Sequence, residues 1–361
     1  ILVSLLIVLI AAISLSAVSA AEDVDTNAVS APAEVEALEI SSIDMSGVIS
    51  EPAAPAANNT VWNVNSTATA ADVQKIIDNS KSGDTINFTK DAVYNWHSAN
   101  KSEVLNAITI PHALIIEGNN ATIDCDNGFT ADSKLTSIDG TTFQNINFNI
   151  NQKNKINGRG IELININNVK IINCSFENGH SGIYTGTCSN ITVIGCSFMG
   201  TTDIKTIGKK EKGINIMGGS NHILINNYFG KDLLDGVSIA SGAQNNFQFI
   251  NNTFVNNWYG VFYGGGVRGV VVEGNTFINN KIYDLGLVKA AGETKINNNT
   301  FISGYYSVKV DENTTLSGTC TPIYIEQGNT AHGAPSTIET ITITNNIFEA
   351  YNDHRCSLCS K

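Results

Sequence analysis

Three acid–base residues stand at matching points of a segment that recurs along the chain. His180, Glu211 and Asp235 each lie one or two residues before a glycine that opens a short β-branched segment, and Lys212 follows Glu211. If these segments stack, the four side chains lie on one face. A histidine, two carboxylates and a lysine can exchange protons, and a carboxylate pair can hydrolyse a glycosidic bond. The four residues are therefore a candidate active site, for which a solvated polar edge is the competing interpretation that we favour.

A second group of residues suits binding rather than catalysis. Trp258, Tyr259 and Tyr263 flank the next glycine of the series. Exposed aromatic rings stack on sugar rings or anchor a protein partner. We predict a ligand-binding surface at these three residues; the alternative is that such rings pack beneath loops.

The elements that must position both groups are the coils of a solenoid. A phrase ending in phenylalanine, such as VKIINCSF at 169–176, recurs along residues 140–348. Three residues before each of these phenylalanines stands only Asn or Gly, which best tolerate a left-handed bend. Intervals of 22 to 25 residues suit one three-stranded coil, and the interval of 47 before Phe348 suggests two. The pattern predicts an all-β, parallel β-helix of roughly ten coils.

Two cysteines interrupt a column of asparagines in this repeat. Cys174 and Cys196 lie two residues before consecutive phenylalanines, where most other copies have Asn. Residues in register on adjacent coils are about 4.8 Å apart, close to the Cα separation of a disulfide. The pair is either a possible disulfide between coils or two buried thiols that replace two asparagines. We favour the thiols, because stacked side chains run parallel.

The residues before the repeat predict export. Residues 1–20 form an apolar run that ends in small residues, as the apolar region and cleavage site of a secretory signal peptide do. A run of this length also suits an uncleaved membrane anchor. Residues 21–60 are rich in Ala, Glu, Ser and Pro, which is typical of a disordered acidic linker. We expect an extracellular or cell-surface protein that contacts the membrane only through residues 1–20, if they are kept.

The β-helix domain is predicted to span residues 61–355. A short helix at about 70–80, which begins with the capping-box spacing of Thr69 and Asp72, is expected to cover its first coil. Residues 356–361 are predicted to be a truncated end, and His354, Cys356 and Cys359 resemble half of a zinc site. A structural zinc site needs four ligands, so we predict no metal and no cofactor. The net charge of −12, without a basic stripe, argues against nucleic acid as a partner.

Export would make some of the Asn-x-Ser/Thr sites available for glycosylation. Ten such sites occur, and four of them fall in predicted bends, where Asn recurs for conformational reasons. We therefore predict glycosylation first at Asn58, Asn65 and Asn100.

The N-terminal part of the repeat region resembles a known superfamily. The blocks AADVQKIIDNSKSGDTINF (70–88) and AITIPHALIIEGNNATID (107–124) look like the N-terminal cap and first coils of right-handed parallel β-helix proteins of the pectin-lyase-like superfamily. With its apolar start, acidic linker and Asn-rich coils, the chain most resembles the adhesin-like surface proteins of methanogenic archaea. The resemblance implies a right-handed β-helix over about residues 62–350. It implies no single activity, because lyases, hydrolases, epimerases and adhesins share the repeat.

Departures from the enzyme patterns of this superfamily favour a binding protein. The dipeptides Gly179-His180 and Asp235-Gly236 are similar to catalytic dipeptides of polygalacturonase-like hydrolases, but no paired Asp-Asp and no Arg-x-Lys motif accompany them. We predict a non-catalytic, exported adhesin-like protein whose β-helix face binds a cell-surface glycan or a protein on another cell. The alternatives are a polysaccharide-active lyase or glycoside hydrolase and a purely structural envelope component.

Overall fold

The chain winds as a parallel β-helix, as the repeat predicts. The structure, a computed structural model, describes residues 59–98, 106–132, 138–150, 158–200, 211–239, 244–264, 267–288, 290–309, 315–326 and 340–351. Strands of successive coils pair in parallel and in register, so that Phe176 lies opposite Phe198. The predictions for residues 1–20, 21–58 and 356–361, and for Asn58 and Asn100, fall outside the described residues.

Among the residues that the structure describes, hydrogen bonds join the strands into two sheets, one of nine strands and one of 22. The smaller sheet contains nine strands: β4 (Ile108–Thr109), β6 (Phe129–Asp132), β8 (Arg159–Ile164), β11 (Ser181–Gly186), β15 (Lys212–Ile216), β19 (Asp235–Ile239), β22 (Tyr259–Tyr263), β25 (Tyr283–Val288) and β29 (Thr321–Glu326). The larger sheet contains 22 strands: β1 (Val61–Val64), β2 (Thr85–Phe88), β3 (Val93–Trp96), β5 (Ile115–Cys125), β7 (Thr142–Ile150), β9 (Lys170–Ile172), β10 (Ser175–Glu177), β12 (Cys188–Ser189), β13 (Thr192–Ile194), β14 (Ser197–Met199), β16 (Gly219–Ser220), β17 (Ile223–Ile225), β18 (Tyr228–Gly230), β20 (Gln244–Ile250), β21 (Thr253–Val255), β23 (Val267–Glu273), β24 (Thr276–Ile278), β26 (Ala290–Asn297), β27 (Thr300–Lys309), β28 (Thr315–Thr319), β30 (Thr340–Thr344) and β31 (Ile347–Tyr351).

A single helix in the described residues, α1 (Ala70–Asn79), covers the start of the solenoid. The predicted capping box is present, with Thr69 and Asp72 each bonding the other's backbone N–H, and such a cap contributes about 1 kcal/mol. Gln74 joins α1 to the smaller sheet: its side chain accepts from Thr109 N at 2.8 Å and donates to Thr109 O at 3.0 Å. Nowhere in the described ranges is a helix long and apolar enough to cross a bilayer.

The bends that turn one strand into the next lie where the Asn and Gly columns predict them. Three residues before the repeat phenylalanines, φ lies between 50° and 67° in all eight copies. A second column, eight residues before the phenylalanine, has φ between 56° and 66° from Asn168 to Gly269. Asn and Gly recur in both columns because other residues are strained in this left-handed conformation.

Two stacks run through the interior beside columns of buried Ile, Val and Leu. The eight repeat phenylalanines form one column, with ring centroids 4.7–5.1 Å apart and planes within 7° of parallel. Beside it runs a ladder of asparagines, in which the backbone N–H of one member donates to Oδ1 of the next at 2.8–3.0 Å. Each buried bond of this kind stabilises the fold by about 1 kcal/mol. The members of this Asn ladder are Asn227, Asn252, Asn275, Asn299 and Asn346.

Cys174 and Cys196 extend the Asn ladder toward the N-terminus as free thiols. The Cys174 N–H donates to Cys196 Sγ at 3.4 Å, and the Cys196 N–H donates to Asn227 Oδ1 at 2.9 Å. The sulfur of Cys196 thus accepts the bond that an amide oxygen accepts elsewhere in the column. This is the arrangement of the alternative that we favoured over the disulfide.

The interval of 47 residues before Phe348 contains one coil and not the two that its length suggested. Phe301 and Phe348 are direct neighbours in the parallel pairing of β27 and β31. The extra length includes an antiparallel hairpin in which β27 pairs with β28, for instance Tyr306 with Gly318. This hairpin is an insertion at the corner where the chain leaves the larger sheet for the smaller one.

Candidate functional site

The outer face of the smaller sheet brings together residues of changing chemistry. Two rows of side chains run along it, parallel to the solenoid axis, and each row takes one residue per coil. The first row is Arg159, Ser181, Lys212, Asp235, Tyr259, Tyr283 and Thr321. The second row is Glu162, Tyr184, Asn215, Ser238, Phe262, Gly286 and Tyr324. We call the part of these rows from Arg159 to Ser238 the polar half, and the part from Tyr259 to Tyr324 the aromatic half.

A glycine behind the first row fixes the spacing of the two rows. In β15, a Cβ on Gly213 would lie 2.5 Å from Gly236 O and 2.7 Å from Phe229 Cδ1, so a side chain would collide with the next coil and with the phenylalanine stack. The pairing register is interrupted at this glycine, and Ile214 after it points into the core. Outward positions are therefore three residues apart here, rather than the two of a regular strand.

An ion pair forms the centre of the polar half. Lys212 Nζ lies 3.0 Å from Asp235 Oδ2 and 2.6 Å from Ser238 Oγ. The side chain of Asp235 is buried, and this burial raises the pKa of its carboxyl, against the opposing charge of Lys212. The geometry confirms that Lys212 and Asp235 lie together, as expected from their positions before the glycines.

Beside this pair, an amide oxygen lacks a partner. Asn215 lies in the second row between Tyr184 and Ser238, and only 7% of its surface is exposed. Its Oδ1 is buried without a hydrogen bond. A buried amide oxygen without a donor costs about 1–3 kcal/mol. An approaching hydroxyl or N–H group would remove that cost.

The first coil of the polar half contains a second pair of charges. Arg159 forms an ion pair with Glu162, and its guanidinium lies 3.7 Å from the centroid of the Tyr184 ring. Both charges are thus held by groups of the protein itself. Tyr184, from the next coil, adds another aromatic ring to the face, and neither coil adds a free charge.

In the aromatic half, rings of successive coils contact one another. The Tyr259 centroid lies 5.0 Å from that of Phe262 and 5.7 Å from that of Tyr283, and the Tyr283 and Tyr324 rings stack at 4.5 Å. Burial raises the pKa of Tyr259 and of Tyr283, so both hydroxyls stay protonated donors at neutral pH. Tyr324 lies on β29, the last strand in the order of this sheet, and its hydroxyl donates to Glu326 Oε2 at 3.2 Å.

The β27–β28 hairpin borders the aromatic half. Its Tyr306 ring lies 6.4 Å from that of Trp258, and Lys281, which pairs with Asp232, lies 5.0 Å from the Trp258 ring. Trp258 is only 8% exposed. The prediction that Trp258 binds a ligand needs correction, because the Trp258 ring packs against the hairpin and holds it to the coil.

Tyr263 is a second correction to the predicted aromatic surface. The side chain is 1% exposed and packs edge-on against Phe247 and Phe249 inside the solenoid. Because the alternation of inward and outward side chains is interrupted at Gly260, the side chain of Tyr263 points inward. Of the three predicted aromatic residues, only Tyr259 lies on the outer face.

His180 and Glu211 lie one residue before the first row and do not share its orientation. His180 Nδ1 is 3.2 Å from the hydroxyl of Ser181. Glu211 is buried, and its Oε2 is 3.1 Å from the point where Gly200 would carry a Cβ, at the corner with the larger sheet. The predicted catalytic group is therefore divided between the face, which holds Lys212 and Asp235, and the corner.

Most residues of the site were missed by the sequence prediction. Asn215, Ser238, Phe262, Tyr283 and Tyr324 were not named as site residues. A signal for them exists, since each second-row residue stands three positions after its first-row neighbour. The interrupted pairing at the glycine produces that spacing, and a regular alternation would not indicate it.

Two further predictions concern chemistry away from this face. Asn65 is exposed, and its Oδ1 accepts from the backbone N–H and the hydroxyl of Thr67 at 2.8 and 2.7 Å. Its glycosylation stays a prediction. In the described ranges, no group of three or more His, Cys, Asp or Glu side chains is arranged to hold a metal ion.

Comparisons with known proteins agree with the fold. Residues 112–282, just under half of the chain, match the family model for a right-handed β-helix region, in agreement with the right-handed parallel β-helix fold. A surface protein and adhesin of Streptococcus pneumoniae, PfbA, has 16% identity and a TM-score of 0.53, over 79% of this chain and 85% of that one. A polygalacturonase from Erwinia carotovora has 13% identity and a TM-score of 0.50, over 86% and 98%. No curated protein matches the sequence.

Proposed function

We propose that this protein is a non-catalytic, exported surface protein that binds a glycan through the outer face of its smaller sheet. One juxtaposition carries the proposal: the buried, partnerless Oδ1 of Asn215 lies on the same face as the ring cluster that begins at Tyr259 and Phe262. The ion pair of Lys212 and Asp235 lies between them.

The chemistry of this face suits a sugar. A pyranose offers hydroxyl groups around its rim and C–H groups on its faces. A hydroxyl can donate to Asn215 Oδ1 once the side-chain amide turns toward the surface, and the C–H groups can contact the rings of Tyr259 and Phe262. The hydroxyls of Tyr259 and Tyr283, which stay protonated, add further donors along the axis. Because the rows continue from coil to coil, an extended oligosaccharide fits better than a single sugar.

The structural neighbours are compatible with both binding and catalysis. PfbA is described as a surface protein and adhesin, and the Erwinia protein is a polygalacturonase. At 16% and 13% identity these likenesses concern the fold alone. The preference for binding therefore rests on the face itself, where Asp235 and Glu162 are each held by a cation.

One observation favours the alternative, a polysaccharide-active enzyme. Asp235 is a buried carboxyl with a raised pKa, 3.0 Å from a lysine, and perturbed groups of this kind occur at active sites. An acid and a base on one face could act on a glycosidic bond. Within the described part of the face, however, a second carboxylate without a cationic partner is not found beside Asp235.

A glycan array tests the proposal with the full chain, and reducing-sugar release is measured on the same glycans. We expect retention without release. Tyr283→Ala should lower affinity about tenfold, the loss typical of an aromatic contact residue worth more than 1 kcal/mol. Tyr228→Ala is the matched control, because Tyr228 is an exposed tyrosine on the larger sheet. Sugar release that stops in Asp235→Ala would establish the enzyme instead, and equal losses in both tyrosine variants would reject this face as the site.

A further inference from the structure

The charged groups of the polar half are paired within the protein. Lys212 Nζ is 3.0 Å from Asp235 Oδ2, and Arg159 pairs with Glu162 in an earlier coil. Asp235 is 3% exposed, and Lys212 keeps only a small part of its side chain accessible. The face therefore presents an ion pair and not a free cation to a ligand.

This pairing disfavours a sugar that carries a carboxylate. To bind Lys212, a uronate would have to compete with Asp235, whose side chain is buried and cannot move into solvent. The two carboxylates would then share one ammonium group, and their repulsion is strong where water is excluded. If Lys212 turned to the ligand, Asp235 would stay buried without its charge partner.

A neutral sugar meets no such obstacle. Lys212 has three ammonium protons, and its contacts with Asp235 and Ser238 use two of them, so one proton is left for a sugar oxygen. A sugar hydroxyl can at the same time donate to Asn215 Oδ1. The site is thus satisfied by hydroxyl groups while the ion pair stays intact.

We propose that Asp235 determines the charge of the ligand: by neutralising Lys212 it selects neutral glycans and excludes uronate-containing ones. This inference rests on the proposed function, because it concerns specificity at the same face. It assigns to Asp235 a role in specificity and none in bond cleavage.

The test compares the wild type with Asp235→Asn on matched ligands. The probes are polygalacturonate and its fully methyl-esterified form, which share a backbone and differ in charge, within an array of other neutral and acidic glycan pairs. Asn keeps an oxygen for Lys212 and removes the negative charge. We expect the ratio of acidic to neutral affinity to rise at least tenfold, and the gained binding to weaken as salt is added. Glu293→Gln is the control, because it breaks the exposed Lys295–Glu293 pair on the larger sheet.

Each outcome is decisive. Wild-type preference for the acidic member of the pairs would overturn the inference, and this measurement does not depend on the variant folding. An Asp235→Asn protein that is folded by circular dichroism, still binds neutral glycans and gains no acidic ones would also overturn it, while the proposed function would stand. If neither protein retains any glycan, the proposed function itself is wrong.

Discussion

The Asn ladder inside the solenoid and the outer face of the smaller sheet are built by the same coils but follow opposite rules. In the ladder, one residue type recurs and each amide bonds to the next coil. On the face, the residue type changes at nearly every coil, and Asn215 Oδ1 has no partner. A column that repeats can be satisfied entirely within the protein. A column whose residue type varies leaves some polar groups without a partner in the protein, and these groups can distinguish between ligands.

The largest effect should come from breaking the ladder. Asn275 donates to Phe249 O at 2.8 Å, and its Oδ1 accepts from the backbone N–H and the side chain of Asn252. Asn275→Ala leaves these groups buried and unpaired, at roughly 1–3 kcal/mol each, so we expect a loss of about 4 kcal/mol. Urea unfolding measures it, with the exposed Asn63→Ala as control. A loss as small as that of the control would show that the ladder does not stabilise the coils.

Asp284 is a departure from the uniform interior, since it occupies the position that glycine holds in earlier coils. Its carboxyl is buried and accepts from Asn280 at 2.7 Å and from Ser303 at 3.3 Å, with the thiol of Cys320 beside it. Burial raises the pKa of Asp284 from 3.8 to about 7. Folding therefore favours the protonated form, and the stability present below pH 4 is lost as the pH rises to about 7.

Asp284→Asn should remove this pH dependence. We expect the variant to be more stable than the wild type at pH 8, by on the order of 3 kcal/mol, and equally stable at pH 3.5. Unfolding midpoints from pH 3.5 to 8 measure the difference. Parallel curves for the two proteins would mean that Asp284 does not titrate in the core.

His222 is the opposite departure, a base in an apolar column. It packs against Phe247, and burial lowers the pKa of His222 from 6.5 to about 4, against the opposing effect of the Gly218 backbone. The neutral form is favoured by folding, so stability is full above pH 6.5 and falls as the pH drops towards 4. His222→Phe should abolish a loss of about 2 kcal/mol over that range. Thermal unfolding at pH 4.5 and pH 7 tests this, and an unchanged slope in the variant would contradict it.

The smallest effect on stability is expected on the outer face. Tyr324→Ala removes a half-buried ring on the last strand of the smaller sheet, which should cost no more than about 1 kcal/mol of stability while glycan affinity falls. Paired measurements of unfolding and of binding to a glycan identified by the array test this separation. A variant as destabilised as Asn275→Ala would mean that the face, like the ladder, serves the fold.

The bends and the interior could be predicted because their cause is local. A left-handed φ restricts a position to Asn or Gly in every coil, so Asn173 and Gly195 reveal the same bend from sequence alone. The capping box of α1 is equally local, with Thr69 and Asp72 three residues apart. These features need no knowledge of what lies across the coil.

The outer face was harder to predict because its register depends on contacts between coils. Gly213 and its equivalents interrupt the alternation of inward and outward side chains where the phenylalanine stack comes close. For this reason Tyr263, which was predicted to lie on the outer face, is buried inside the solenoid. An error of one residue reverses a side chain in a strand, which is also why His180 and Glu211 were placed on the wrong surface. The hairpin that covers Trp258 could not be predicted, because it belongs to none of the repeats. The interval between Phe301 and Phe348 that contains it is about as long as two coils.

The register of the coils makes the length of the outer face adjustable in whole steps. Phe254 pairs with Phe277, and Tyr259 with Tyr283, so the residues of one complete coil could be deleted or duplicated without shifting any other pairing. Each such change in the gene would shorten or extend the rows by one rung, about 4.8 Å. Unequal recombination between similar repeats could thus produce related proteins that bind longer or shorter ligands, before any single residue of the site had changed.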